Sequence, residues 1–182
     1  MKKFTVMLLA VLTAGLTAAE PARNLLNNGE LKLNESGTLP GWIYPRKGAW
    51  ILNKDNTIGL REGFEGHSAY WVQQIEAKPF TGYKLEFEVK AEDLGRMAGV
   101  YYVWYDAAGK RLASERFAYR HGPGSTDGWE KVSAVLNQAD PVKTAKLSVC
   151  FAIYNAQPKG GGKVFFRNIS LTAINEEDDD KE

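Results

Sequence analysis

The stretch YKLEFEVKA, Tyr83 to Ala91, constrains the fold more tightly than any other part of the chain. Tyr83, Leu85, Phe87 and Val89 fall on one side of an extended backbone, and Lys84, Glu86, Glu88 and Lys90 on the other. A strand with one apolar and one charged face needs a sheet that packs one side on a second layer and wets the other. Comparable runs recur with turn signals between them. AGVYYVWYD leads into the turn AAGK, GWEKVSAVL follows the loop HGPGSTDG, AKLSVCFAIY alternates through Leu147, Val149, Phe151 and Ile153, and GGGKVFFRNISLTAI closes the series. Upstream, NLLNNGELKL, GAWILN, NTIGL and SAYWVQQIEA read as further strands, and no segment carries a capped helical period. The prediction is an all-β chain, a single jelly-roll β-sandwich of two antiparallel sheets.

The two ends stand apart from this pattern. MKKFTVMLLAVLTAGLTAAE has two lysines, an apolar run from Phe4 to Leu16 and small residues before Glu20. This is the layout of a secretory signal peptide, with an apolar run too short to span a bilayer. Residues 1–19 are therefore expected to be removed after Ala19. No cysteine follows the apolar run, so a lipoprotein is not expected. The expectation is a bacterial protein, secreted or periplasmic, with no membrane association once the signal is gone. The last residues, NEEDDDKE, hold six acids and one lysine, and residues 175–182 read as a disordered, solvating acidic tail. Between them, residues 20–174 form one domain whose only cysteine, Cys150, excludes an internal disulfide.

In order along the chain, NLLNNGE, LPGW, WVQQIEAKPFTGYKLEFEVKAE, AGVYYVWYDAAGKRL, TDGWEKVSAVL and GKVFFRNISLTAI resemble carbohydrate-binding modules of the jelly-roll type, within the galactose-binding-like group. The resemblance runs from about Arg23 to Ile174. It implies the sandwich fold and a glycan ligand, and it implies that Trp42 and Trp129 hold structural positions in the core or at its rim. Many members of the group hold a structural calcium between an acid of the first strand and one of the last. Here Lys32 follows NGEL and the last strand reads Phe166, Arg167, Asn168, which argues against a cation there, although Glu30 stays available as an oxygen ligand. No cofactor and no metal are expected.

The run from Tyr101 to Tyr105 places aromatics on both faces of its strand. Counting back from Asp106 and the turn, Val100, Tyr102 and Trp104 are assigned to the core, leaving Tyr101, Val103 and Tyr105 outward. A tyrosine ring covers the apolar face of a pyranose while its hydroxyl stays wet; the competing reading is an aromatic sheet surface without a ligand. Trp71 is assigned beneath the sheet by its alternation with Gln73 and Ile75. Tyr44 and Trp50 lie in or beside a loop rich in Gly, Pro and charge, where binding residues concentrate. Arg116 and Tyr119 are expected to border the same surface as Tyr101. Tyr154 falls outward beside the small residues Cys150 and Ala152, an arrangement suited to a shallow groove. Glu86 and Glu88 are candidates for accepting sugar hydroxyls. Their lysine-flanked position on one strand does not suit them to act as a catalytic pair on opposite sides of a glycosidic bond.

Other chemistry finds little footing. The basic residues are too scattered for a nucleic-acid footprint. His67 and His121 lack zinc spacing, QPKGGGKVFF is no phosphate loop, and no serine sits in a nucleophile elbow. Three readings follow: an exported non-catalytic domain binding a polysaccharide or oligosaccharide, an exported structural or protein-interaction sandwich with a protein partner, and a glycan-active hydrolase or lyase. One exposed patch containing Tyr101, Tyr105 and Trp50 favours the first; a cleft with opposed carboxylates favours the third.

Overall fold

The computed structural model describes residues 23–64, 68–154 and 160–174. The expected signal segment, His67 and the acidic tail lie outside the described residues. Among those residues nine strands form in chain order: β1 (Trp50–Asn53), β2 (Thr57–Arg61), β3 (Ser68–Glu76), β4 (Gly82–Glu92), β5 (Met97–Tyr105), β6 (Arg116–His121), β7 (Glu130–Leu136), β8 (Lys146–Tyr154) and β9 (Lys163–Ile174). A five-stranded sheet runs β1-β2-β9-β4-β7, a four-stranded sheet runs β3-β8-β5-β6, and every pairing is antiparallel. This is the sandwich that the alternating runs demand.

The inward residues of both sheets form one core. Tyr83, Leu85, Phe87, Val89 and Ala91 of β4 are all buried, as the alternation in YKLEFEVKA requires. Phe151 on β8 is the central ring: it lies 5.0 Å from Phe166, 5.5 Å from Phe87 and 5.7 Å from Trp42, so one side chain joins both layers. Such tilted and edge-on aromatic pairs add about 0.5–1.5 kcal/mol each beyond area burial. Trp71, wholly buried, also reaches across and donates its indole N–H to the Gly59 carbonyl at 3.0 Å. Trp42 is buried, as the resemblance implies, while Trp129 lies half-buried under the Arg167 guanidinium at 4.1 Å.

Two bulges interrupt the regular register, and both bear on the surfaces. Between β4 and β9, Glu86 faces Ser170 while Glu88 faces Arg167, so β9 carries one extra residue. Asn168, within that interval, takes a left-handed φ of 51°, and Phe166 and Ile169 are buried although three positions apart. Between β5 and β6, Val100 pairs with Tyr119 and Tyr101 with Phe117, which leaves Ala118 as the extra residue.

One expected strand is absent. NLLNNGELKL forms a turn followed by irregular chain. Asn28 and Leu31 have φ of 54° and 58°, and the Asn28 side chain accepts the Lys32 N–H at 2.9 Å and donates to the Lys32 carbonyl at 2.8 Å. The asparagine thus supplies locally the bonds that a ladder would have supplied. Further tethering comes from Asn24, which accepts N–H bonds from Leu26 and Leu171, and from buried Gln73, which donates to the Asn27 carbonyl at 2.8 Å.

Candidate functional site

The outward face of the four-stranded sheet is where side chains of one chemical kind gather. Alternation turns Val100, Tyr102 and Trp104 inward, all buried, and Tyr101 and Tyr105 outward, both half-buried, as assigned from sequence. Around Tyr101 the register places Cys150 on β8 and Phe117 on β6, with Gly99 opposite Ala152 and Met97 opposite Tyr154. The small residues leave room for rings to converge. Tyr101 lies 5.9 Å from Tyr154, 6.2 Å from Phe117 and 6.4 Å from Tyr70, and Phe117 lies 5.7 Å from Tyr154. A Cβ on Gly99 would stand 3.5 Å from the Phe117 ring and 2.7 Å from the Tyr119 carbonyl, so glycine is needed for the close approach of β6. The rings are tilted by 51° to 84°, giving a contoured cluster in which Tyr70, at 44% exposure, is the most open member.

Polar groups border the cluster. The Arg120 guanidinium lies 3.8 Å over the Phe117 ring. On the β5–β6 connection, Arg111 is ion-paired with Glu115, which holds the Glu115 carboxyl below its ordinary range. Gln74 donates to the Ser148 hydroxyl at 3.0 Å across β3 and β8. Beside Tyr101 the residue Cys150 is 4% exposed, and burial pushes its thiol up to about 11. Burial likewise raises the Tyr101 and Tyr154 phenols above their ordinary value, with the neighbouring Cys150 adding to both shifts, and the buried Tyr154 hydroxyl has no hydrogen-bond partner among the described residues. All three groups stay protonated and neutral near pH 7, so the floor of the face carries no charge.

The nine sequence-derived site residues do not form one surface. Tyr101, Tyr105 and Tyr154 share the outward face just described. Arg116 and Tyr119 do not border it: Tyr119 pairs with inward-facing Val100, sits 6.0 Å from Phe87 of the core and donates to Glu130 at 3.1 Å. Burial, assisted by Glu130, pushes the Tyr119 phenol up to about 12. Arg116 turns to the Asn137 carbonyl, which also accepts the Trp104 indole N–H. The Ala118 bulge is the reason, because it places Phe117 and Tyr119 on opposite faces although two positions apart. Tyr44 and Trp50 form a separate cluster around buried Trp71, at 4.7 Å and 6.4 Å respectively. The Tyr44 hydroxyl accepts the Leu39 N–H at 2.6 Å, a structural duty. Trp50, 39% exposed, is thereby removed from the expected patch with Tyr101 and Tyr105.

Glu86 and Glu88 occupy the outward face of the other sheet, on the far side of the sandwich. Each is engaged: Glu86 with Lys84 at 2.9 Å, Glu88 with Arg167 at 2.7 Å and with the Asn168 amide at 3.0 Å. They therefore do not serve the aromatic face, and no carboxylate stands opposite them across a cleft among the described residues. At the position where the resemblance places a calcium in other members, Lys32 is ion-paired with Glu30, and the Asn168 amide is spent on Glu88.

Two members of the ring cluster were not singled out in the sequence. Tyr70 had a signal, since it alternates with inward Trp71 in SAYWVQQ. Phe117 had none, because its face depends on the bulge.

No protein-family model matches the sequence, and no curated protein matches it. Solved structures do match. The fold is similar to TmCBM61, solved in complex with beta-1,4-galactotriose, at 14% identity over 84% of this chain and 100% of that one, with a TM-score of 0.55. It is similar to a CBM4 module at 12% identity over 82% of this chain and 99% of that one, with a TM-score of 0.58. A further match is the enzymatically active domain of bacteriophage CBA120 tailspike protein 4, at 17% identity and a TM-score of 0.57 over 83% of this chain, which spans only 21% of that domain. The match to whole carbohydrate-binding modules, with two antiparallel sheets and no helix among the described residues, makes the fold the jelly-roll β-sandwich of those modules.

Proposed function

We propose that this chain is an exported, non-catalytic carbohydrate-binding domain that holds a polysaccharide or oligosaccharide on the outward face of its four-stranded sheet. The observation that carries the reading is the convergence of Tyr70, Tyr101, Phe117 and Tyr154 over Gly99, Cys150 and Ala152. Clustered aromatic rings on a soluble surface lose little conformational entropy on binding and match the apolar C–H faces of sugar rings. Tyr70 and Tyr105 offer contact from either side of the cluster, and Gln74, Ser148 and the Arg111–Glu115 pair supply donors and acceptors for hydroxyls. Fold likeness to sugar-binding modules supports the reading without naming a ligand. Export rests on the leader-like first residues, and the absence of catalysis on the engagement of Glu86 and Glu88 by neighbouring cations.

Affinity electrophoresis of the chain from Glu20 onward, through a panel of soluble polysaccharides, tests the proposal. Retardation by at least one polysaccharide, abolished in Tyr101→Ala and weakened in Tyr70→Ala, is the expected result. Mobility unchanged by every polysaccharide would overturn it and leave the protein-interaction sandwich. In that case the end of the molecule bearing Phe80 and Val142, 69% and 71% exposed, is the surface to probe.

A further inference from the structure

Arg120 is the one arginine lying directly over the ring cluster. Its guanidinium stacks 3.8 Å from the Phe117 centroid, and among the described residues it has no ion pair. Stacking on an aromatic face fixes the guanidinium plane and leaves its N–H edge free, a geometry suited to bidentate contact with a planar or tetrahedral oxyanion. Glu115, a carboxylate bordering the same face, is ion-paired with Arg111, so no side-chain carboxylate among the described residues is paired with Arg120. Farther along the same face Lys146, in register with Tyr105 on one side and Glu76 on the other, has no ion pair among the described residues. The outward face thus carries Arg111, Arg120 and Lys146 against Glu76 and Glu115, a cationic excess around uncharged rings.

We infer that the glycan held on this face is an acidic one, with a carboxylate or sulfate group placed on Arg120 while its sugar rings lie against Tyr101, Phe117 and Tyr70. The inference rests on the carbohydrate-binding reading and narrows its ligand to one chemical class. A neutral glycan gains only ring contact and hydroxyl bonds here; an acidic one adds a charge-assisted pair on a preorganised guanidinium, at no cost of breaking an existing ion pair.

The test measures binding of the full chain to polygalacturonate and to its methyl ester, and to carrageenan and an unsulfated galactan, each at low and moderate salt. Wild-type protein is expected to bind at least one acidic polymer about tenfold more tightly than its neutral counterpart, with the preference shrinking as salt rises. Polygalacturonate and carrageenan separately report whether carboxylate or sulfate is the group recognised. Arg120→Gln is expected to abolish the preference while keeping binding to the neutral polymer, and Arg120→Lys, which keeps the charge but loses the planar stack, to retain part of it. Lys54→Gln removes one positive charge from the β1–β2 turn and is expected to change nothing. Equal binding of neutral and acidic polymers, a preference that survives Arg120→Gln, or one that Lys54→Gln removes equally, would overturn the inference and leave the carbohydrate-binding reading standing. Failure to bind any of the four polymers, with none bound in the wider panel either, would remove both.

Discussion

At the scale of single residues, small side chains under the ring cluster set hard limits. Gly99 lies where β6 closes on β5, and a methyl group there would stand 2.7 Å from the Tyr119 carbonyl. Gly99→Ala is therefore expected to cost about 1–3 kcal/mol through forced displacement of β6. A lowered melting temperature, together with weaker glycan retention as Phe117 shifts, would register it. Cys150 offers a second check. With its thiol pushed up to about 11 by burial, only a very small fraction is thiolate at pH 8. The folded protein is expected to react slowly with a thiol reagent at that pH and promptly once unfolded. Rapid labelling of the native protein would show that the floor beneath Tyr101 is open.

At the scale of strands, the bulges decide which side chains meet. Without Ala118 as an extra residue, strict alternation would keep Phe117 and Tyr119 on one face; with it, Phe117 joins the outward rings and Tyr119 packs on Phe87. The bulge in β9 works through Asn168, whose φ of 51° lies in the left-handed region. Glycine adopts that conformation freely, whereas a β-branched residue is strained there. Asn168→Gly is expected to lose little beyond the amide bond to Glu88. Asn168→Val is expected to cost about 1–3 kcal/mol, and a denaturant titration of the two variants gives the ordering. Strands such as β4 and β8 were legible in sequence because alternation is a local property. The bulges were not, because an extra residue becomes visible only against a partner strand.

At the scale of the whole molecule, charge pairs lie on the surfaces of the sandwich while the core is apolar. Glu88 is held below the ordinary carboxylate range chiefly by its hydrogen bond with Arg167, aided by Asn168; Glu115 and Asp140 are lowered by Arg111 and Lys143. A depressed folded-state value means that folding favours the ionised form. The stabilisation is complete above the ordinary carboxylate range and is lost as pH falls through the lower folded-state values. The melting temperature is expected to be flat from about pH 5 to 7 and to fall on acidification below that window. Arg167→Gln is expected to lower the plateau slightly and reduce the acid slope, since Glu88 then titrates nearer its unfolded value. Melting curves collected across pH for both proteins check this, and an identical acid slope would exclude the Glu88–Arg167 pair as a contributor.

By itself the sequence determined the layer architecture and the side on which most strand residues lie. Burial of alternate residues follows from the two-residue period of an extended chain, as Tyr83 to Ala91 and Val100 to Trp104 show. It also indicated an outward aromatic face at Tyr101, Tyr105 and Tyr154. Tertiary structure alone decided which distant residues share that face. It brought in Tyr70 from β3 and Phe117 from β6, excluded Tyr119 and Arg116 through one extra residue, and sent Glu86 and Glu88 to the opposite side of the sandwich. Strand order caused that separation, because β4 is paired between β7 and β9 in one sheet while β5 lies between β6 and β8 in the other. Alternation along a strand records inward against outward. Which outside a residue reaches depends on the sheet its strand joins, and long-range pairing settles that.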